Sequence, residues 1–445
     1  MATKHAIVVG GSMGGLVAAR VLADYYERVT IVDRDTFPAI GEHRKGVPQS
    51  RHTHGLLASG RRMLEKFFPG IGAELMAAGA IAGDILADSR WIFEGGTHCR
   101  PKSGFEGLLL SRPLLEGMVR KYLFALPNIA VMENCDAAGL VFVGGKVTGL
   151  RLASGDTVAA DLVVSCAGRA GHVADWLAEL GYQAAEVERV EMALGYTTRL
   201  FRRHATDLNG DMAIILPSTP EGKRGGVMLA QEDDRWTVTL MSYFGVNAPS
   251  DLPGFLEYAK SLPAPDIYDA IRNAEPVSDP QVAKFPASVR HRYEKLSHFP
   301  EGFLVFGDAI CSFNPIYGQG MSVAALEAEV LSECLASGTA NLARRFFTAA
   351  AKVIDTPWSI AVGNDLRMPE TTGPRNAGVS FINWYMGKLH KAAHHDPVPA
   401  LAFHAVANLL AAPPSVMHPR VAWRVLLGNL RGAREKQAPV LSSVG

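Results

Sequence analysis

The sequence predicts an α/β fold: a parallel-stranded βαβ domain assembled from three separate stretches, interleaved with a mostly antiparallel sheet and followed by a helical C-terminal region. Three observations predict it. A glycine-rich βαβ unit opens the chain at His5–Asp35, a strand–glycine–helix unit recurs at Gly302–Val330, and short β-prone runs fill the interval between 84 and 243.

The chain has 445 residues, room for two to four domains at roughly 100–200 residues each. Its 48% apolar and 20% charged content is globular and excludes a disordered or fibrous protein. Lys plus Arg and Asp plus Glu both number 44, so the basic excess of a nucleic-acid binder is missing and no nucleic-acid partner is expected. Cys99, Cys135, Cys166, Cys311 and Cys334 are odd in number and form no CxxC. A disulfide framework or a metal site is therefore not expected, and a reducing cytoplasm suits the chain. The opening MATKHAIVVGG has an apolar run of only AIVV, unlike a signal peptide. No uncharged stretch of about 18 apolar residues is present to span a bilayer. The nearest, Ala400–Ala412, is interrupted by His404 and Asn408.

In the first unit Ala6–Val9 is a continuous apolar run, as in a buried parallel strand. Gly10, Gly11, Gly14 and Gly15 follow, Leu16–Tyr25 has apolar residues at helical spacing, and the run Val29–Val32 ends in Asp33. Strand, tight turn, helix, strand and acid in this order make a dinucleotide-binding arrangement. Gly10 permits the turn and Gly15 the close helix packing. Free N–H groups of the turn and helix N-terminus then face a pyrophosphate. Asp33, 23 positions after Gly10, suits an adenosine ribose. Ser12 replaces the middle glycine of G-x-G-x-x-G; its Cβ crowds the phosphate and its hydroxyl can donate to it.

In the second unit Phe303–Phe306 reads as a buried strand, followed by Gly307 and Asp308, then Pro315, Gly318-Gln319-Gly320 and a helix from about Met321. A helix N-terminus preceded by small residues can stabilise negative charge on a flavin pyrimidine ring, and a carboxylate at a strand end suits ribityl hydroxyls.

With GGSMGG and VDR, then SCAGR, then GDAICSFNPIYGQGM, residues 5–345 resemble the aromatic-hydroxylase-type (para-hydroxybenzoate hydroxylase-like) FAD monooxygenases. Arg44–Leu57 and Phe313–Ala325 resemble more specifically the subgroup of polyether-epoxidase-like and squalene-epoxidase-like enzymes. The resemblance implies the GR2-type flavoprotein fold, with a Rossmann-like FAD-binding domain over 1–75, 108–185 and 285–345. A β-sheet substrate domain over 76–107 and 186–284 and a helical region over 346–445 complete it.

It also implies site residues. Gly10, Gly11, Ser12, Met13, Gly14 and Gly15 would hold the FAD pyrophosphate; Asp33 would hold the ribose, with Arg34 near the adenine. The loop Arg44, Lys45, Gly46, Val47, Pro48 and Gln49 would run beside the isoalloxazine. Arg112 would contact the phosphate or ribityl region, and Asp136 and Ala137 the adenine. Asp308 would bind ribityl oxygen, and Pro315, Gly318, Gln319, Gly320 and Met321 would line the flavin ring. The third motif, Asp161–Gly168, departs from the pattern: Ser165, Cys166 and Ala167 stand where relatives place an Asp near the glycine. That puts direct NAD(P)H binding in doubt more than FAD. NADPH or NADH would then donate electrons transiently or through a separate reductase.

The implied reaction inserts one oxygen atom of O2, through a flavin C4a-hydroperoxide, into a small apolar alkene or aromatic. Such chemistry belongs to the cofactor, so no catalytic side chain is assigned; Val47, Gln49, Pro315, Gly318, Gln319 and Gly320 are the flavin-proximal candidates. The alternative is a flavin-dependent C=C reductase of the geranylgeranyl-reductase-like type. A halogenase ranks low because its W-x-W-x-I-P signature is missing, and a catalytically silent flavin scaffold is the remaining class.

Between the motifs, strands are expected at Asp84–Phe93, Glu191–Arg202, Met212–Leu216, Gly226–Gln231 and Trp236–Tyr243. Trp236, Val238 and Leu240 alternate with Thr237 and Thr239, as on a strand with one buried face. His52 and His54 read as hydrogen-bonding groups, Cys166 and Cys311 as packing, and His394-His395-Asp396 as a solvated loop. Trp358, Trp384 and Tyr385 read as helix core. The segments Ala400–Ala412 and Val421–Leu430 fit a buried bundle better than a face resting peripherally on a membrane.

Overall fold

The computed structural model describes residues 4–245, 247–375 and 377–437; residues 438–445, the end of the stretch expected to be helical, lie outside the described residues, as do residues 1–3. Five parallel strands form the first sheet, in the order Phe303–Val305, Leu162–Ser165, His5–Val9, Arg28–Val32, Ile129–Met132. Each is an apolar run because helices and a meander cover both faces. The helix Met13–Leu22 packs on Gly320–Ala336 and Arg112–Phe124, while the meander Ala137–Val143, Lys146–Leu152, Thr157–Ala159 lies against Leu162–Ser165. Segments from the start, middle and late chain thus share one sheet.

The second sheet has eight strands, in the order Cys311–Ser312, Gln281–His291, Val187–Arg202, Arg235–Ser242, Arg224–Gln231, Ala213–Leu216, Ser89–Phe93, Gly96–Thr97. All pairings are antiparallel except Ala213–Leu216 with Ser89–Phe93. Gln281–His291 runs across residue 285, so the 284/285 boundary expected from the sequence falls inside a strand.

Three expectations are corrected. Asp84–Phe93 is two strand ends, Ile81–Asp84 and Ser89–Phe93, separated by a turn. Asp84 Oδ1 accepts from the N–H groups of Leu86 and Ala87 at 2.9 and 3.0 Å, the Asx-type bonding that stops a strand. Arg235–Ser242 is buried on both faces. Trp236, Val238 and Leu240 pack under Phe255, Tyr258 and Ile267 of the helices Leu252–Lys260 and Asp266–Ile271. Thr237 and Thr239 face inward, where Thr53 meets both hydroxyls.

Third, the C-terminal bundle is buried on one face only. Leu342–Asp365, Ala377–Ala393, Pro397–Ala407 and Pro419–Gln437 are helical, and Tyr385, Leu389, Val406, Val421 and Val425 pack together. Trp384 and Trp423 are each 60% exposed, beside exposed Phe381, Leu426 and Leu430. Trp384 is therefore not core, whereas Trp358 and Tyr385 are. Among the described residues no helix is long and apolar enough to cross a membrane.

Candidate active site

The strand His5–Val9 delivers the chain into Gly10, whose φ of +98° only glycine adopts freely. A Cβ on Gly15 would overlap the Gly10 carbonyl oxygen, so helix and turn touch only because position 15 has no side chain. Ser12 is the N-cap of Met13–Leu22 but makes no side-chain cap, which leaves the first helical N–H groups open. Its hydroxyl instead accepts from Arg112 Nη2 at 3.0 Å. Asp33 Oδ2 accepts from Gly11 N at 2.6 Å and pairs with Arg44 Nη1 at 2.8 Å.

Around this end lies a buried charge cluster. Glu116 meets Arg112 Nε at 2.9 Å, Arg44 Nη2 at 3.5 Å and Arg120 Nη1 at 3.5 Å, and Arg44 and Arg120 both lie over the Phe37 ring. Asp35 Oδ2 accepts from Gly46 N at 2.5 Å. Sequence reasoning missed Glu116, Arg120 and Asp35. The signal for two of them was present: Arg112, Glu116 and Arg120 recur every four residues along one helix face. Arg44 is thereby pinned at the Asp33 end.

At the other end Gly307 leads to Asp308, which opens into the cavity; burial pushes its carboxyl up, opposed by Arg112 and Arg169. Behind it, Glu327 of Gly320–Ala336 is buried and accepts from Gly307 N at 3.0 Å. Burial first, and Asp308 as well, push Glu327 up to about 8 against that bond. Asn314 begins the turn Pro315–Tyr317, its Oδ1 accepting from Ile316 N. Asn314 Nδ2, Tyr317 OH and Tyr243 OH all donate to Asp365 Oδ1, at 2.9, 2.8 and 3.0 Å. Burial raises Asp365 to about 7. Gln319 Oε1 is buried without a partner.

Both ends open on one continuous cavity of about 1670 Å³, with Glu116, Arg120, Glu327 and Asp365 standing behind its wall. Gly10, Gly11, Ser12, Met13, Gly14, Asp33, Arg34, Arg44, Gly46, Val47 and Gln49 are on its wall, with Arg112, Asp136, Ala137 and Gly168. So are Asp308, Pro315, Gly318, Gln319, Gly320 and Met321. Gly15 and Lys45 are not: Gly15 packs inside the βαβ unit, and the Lys45 side chain is exposed on the outside of its loop.

Beyond the loop the cavity continues between the eight-stranded sheet and the C-terminal helices, where Leu109, Met212, Ile215, Leu229, Ile382, Met386, Phe403 and Val406 line it. On its floor His52 Nδ1 meets Thr198 Oγ1 at 2.9 Å, and Thr198 meets Thr239 Oγ1 at 2.7 Å. Burial lowers His52 to about 4 and, with help from Arg112, His54 to about 3, so both rings are neutral. Cys166 is a cavity-wall thiol pushed well up by burial. His394 is not solvated: its Nε2 meets Phe93 O at 2.9 Å, and Asp396 caps Pro397–Ala407 and pairs with Arg424. Among the described residues no group of three or more His, Cys, Asp or Glu could hold a metal ion.

No family model matches the chain. Protein Rv3254 of Mycobacterium tuberculosis is 31% identical to it, over 98% of this chain and 97% of that protein. The flavin-dependent brominase Bmp2 superposes with a TM-score of 0.67 at 13% identity, covering 97% of this chain and 100% of the brominase. PqsL, a probable FAD-dependent monooxygenase from Pseudomonas aeruginosa, superposes with a TM-score of 0.61 at 15% identity, covering 85% of this chain and 100% of PqsL. The likeness establishes the fold: a Rossmann-like domain joined to a sheet domain, as in these flavoproteins.

Proposed function

The chain belongs to the same family as Protein Rv3254, and within it we propose an FAD-dependent monooxygenase that places one oxygen atom of O2 on an apolar alkene or aromatic substrate. One observation carries the reading. The Gly10–Gly14 turn with Asp33, the Asp308–Gly320 segment and an apolar chamber are walls of one cavity. Its 1670 Å³ exceeds the ~300–1,000 Å³ of a single small-ligand site, which leaves room for a long cofactor and a substrate together. The residues present fit FAD: an uncapped helix N-terminus beside a tight glycine turn, and the orphaned Gln319 Oε1 on the wall, are groups that a two-ended nucleotide would satisfy.

When bound, the flavin supplies electron transfer to O2 and oxygen transfer to the substrate. The chain's own residues do the rest. The Gly10–Gly14 turn and Arg112 hold the pyrophosphate, Asp33 the adenosine ribose and Asp308 the ribityl chain. N–H groups at the start of Gly320–Ala336 face negative charge on the ring. The apolar walls exclude water and orient the substrate. Epoxidation or hydroxylation of the polyether-epoxidase-like kind is the finer reading, supported by the motifs Arg44–Leu57 and Phe313–Ala325. NADPH or NADH donates electrons, directly or through a separate reductase. We place the protein in the cytoplasm. The exposed Trp384 and Trp423 face is the surface for any lipid contact, checked by sedimentation with vesicles.

The test is the visible spectrum of the purified protein, then oxygen uptake with NADH, NADPH and chemically reduced flavin. Oxygen from labelled O2 should appear in the product. A colourless protein that binds no added flavin overturns the proposal, and an unlabelled, hydrogenated product assigns the C=C reductase instead. Halogenation gains support from the whole-length match to Bmp2; a product that forms only with added bromide would select it.

A further inference from the structure

At the end of the chamber lined by C-terminal helices, three imidazoles form a chain. His390 Nδ1 lies 3.2 Å from His98 Nε2, and His98 Nδ1 lies 3.2 Å from His404 Nε2. The three are 4%, 2% and 0% exposed. His390 alone of them reaches the cavity, stacked flat on Phe93 with ring centroids 4.3 Å apart and edged by Phe403 at 4.7 Å. Burial drives all three well below the ordinary histidine range, His98 to about 3. The chain is therefore neutral. Its charged surroundings do not change this: Arg367 is paired with Glu94 at 2.5 Å, and His394 is lowered as well.

A neutral imidazole has one N–H and one bare nitrogen. Three in a row have only two settings, with every proton pointing one way or the other. In the first, His404 Nδ1 carries a hydrogen, yet that atom is buried and has no partner. A buried N–H without an acceptor is the rarer defect in folded chains. In the second, His404 Nε2–H donates to His98 Nδ1 and His98 Nε2–H donates to His390 Nδ1. His390 Nε2 then carries a hydrogen that has no acceptor among the described residues.

We propose that His390 Nε2–H is a substrate anchor: it donates to a neutral oxygen, carbonyl, hydroxyl or ether, on the end of a lipophilic substrate remote from the oxidised bond. Phe93, Trp91 and Phe403 grip that end as an aromatic sleeve. A carboxylate is the wrong ligand, since Arg367, the cation acting on His390, is already paired with Glu94 and the pocket would bury the charge uncompensated. The inference rests on the chamber being the substrate site of the proposed oxygenase.

The experiment measures binding, so it does not depend on turnover. The purified full chain is titrated with 2-acetylnaphthalene, 2-ethylnaphthalene and 2-naphthoate, and binding is followed by tryptophan fluorescence. The ketone should bind about tenfold tighter than the hydrocarbon, the size of one hydrogen bond, and the carboxylate more weakly than the ketone. In His390→Phe the ketone-to-hydrocarbon ratio should fall to about one, while His390→Gln, which keeps a donor, should restore part of it. Nitrogen NMR of labelled wild-type histidines gives a variant-free check. It should show His390 protonated at Nε2, with a shift on adding the ketone. An unchanged ratio in His390→Phe, a preference for naphthoate, or His390 protonated at Nδ1 overturns the anchor. Ketone selectivity that survives in a protein unable to bind flavin would sink the oxygenase and leave the anchor standing.

Discussion

At the Asp33 end of the cavity the carboxylates of Asp33 and Asp35 each meet an N–H group and Arg44, and much of the wall comes from one continuous βαβ unit. At the His390 end the wall is aromatic and aliphatic, and its side chains come from segments as distant as Trp91, Met212 and Phe403. The first end is built from backbone geometry and fixed charge, which tolerate little change. The second is built from shape and a few neutral donors, which a different substrate could reshape. A cofactor common to many enzymes and a substrate particular to one call for these two constructions.

The comparison can be broken at its strongest point first. Gly15→Val should abolish flavin retention and collapse the first sheet domain, because its side chain must displace the Gly10 carbonyl. The readouts are visible absorbance and circular dichroism; a yellow, folded variant would show that the turn is less rigid than its packing implies.

Next in size is a pH effect at the Asp308 end. Glu327 titrates near 8 folded and near 4.5 unfolded, so the folded state holds the extra proton between those values. The contribution of Glu327 to stability is therefore greatest below about 4.5, falls as pH rises toward 8 and levels off above it. The slope reaches up to about 1.4 kcal/mol per pH unit for one group. Asp365, raised to about 7, adds in the same direction. The buried neutral histidines act the opposite way below about 6.5, so the readout is a difference: from pH 5 to 8.5 the wild type should lose melting temperature relative to Glu327→Gln. An identical slope in the variant would place the titration elsewhere.

Thr239→Val tests the chamber floor. It takes one of two partners from each of the Thr53 and Thr198 hydroxyls, which meet Thr239 at 2.5 and 2.7 Å and keep Thr237 and His52, a cost of about 1 kcal/mol per bond. Urea unfolding should read that loss while flavin content stays at the wild-type level. Loss of flavin along with stability would mean that the two ends are not separable. Smallest of all, Lys45→Ala should change stability and flavin affinity by less than about 0.5 kcal/mol, since the side chain is exposed and off the cavity wall.

The same contrast explains what could be read from the chain. Gly10, Asp33, Asp308 and Gly318 stood out because each sits at a fixed offset in a local strand–turn–helix pattern, and the structure brings them to one cavity. Gln319 gave no hint that its side-chain oxygen is orphaned, nor Glu327 that it sits behind Gly307, because both depend on which segments meet. The inward Thr237 and Thr239 looked solvated since an alternating strand reads alike whether water or a cavity covers its polar face. The His98–His390–His404 chain is the extreme case: no spacing links positions so far apart. The exposed Trp384 and Trp423 were hidden similarly, as a helix sequence does not say which apolar residues a bundle leaves uncovered.

Asp365 closes the helix Leu342–Asp365, yet its Oδ1 gathers Tyr243 from the sheet and Asn314 and Tyr317 from the turn before Gly318. A helix from the C-terminal part of the chain therefore shapes a loop whose sequence looks self-sufficient. Swapping the C-terminal helices between distant homologues would exchange more than a lid: unless the graft brings an oxygen acceptor to this spot, two phenols and an amide lose their common tether. Evolution by module exchange at this junction is thus constrained by a single atom.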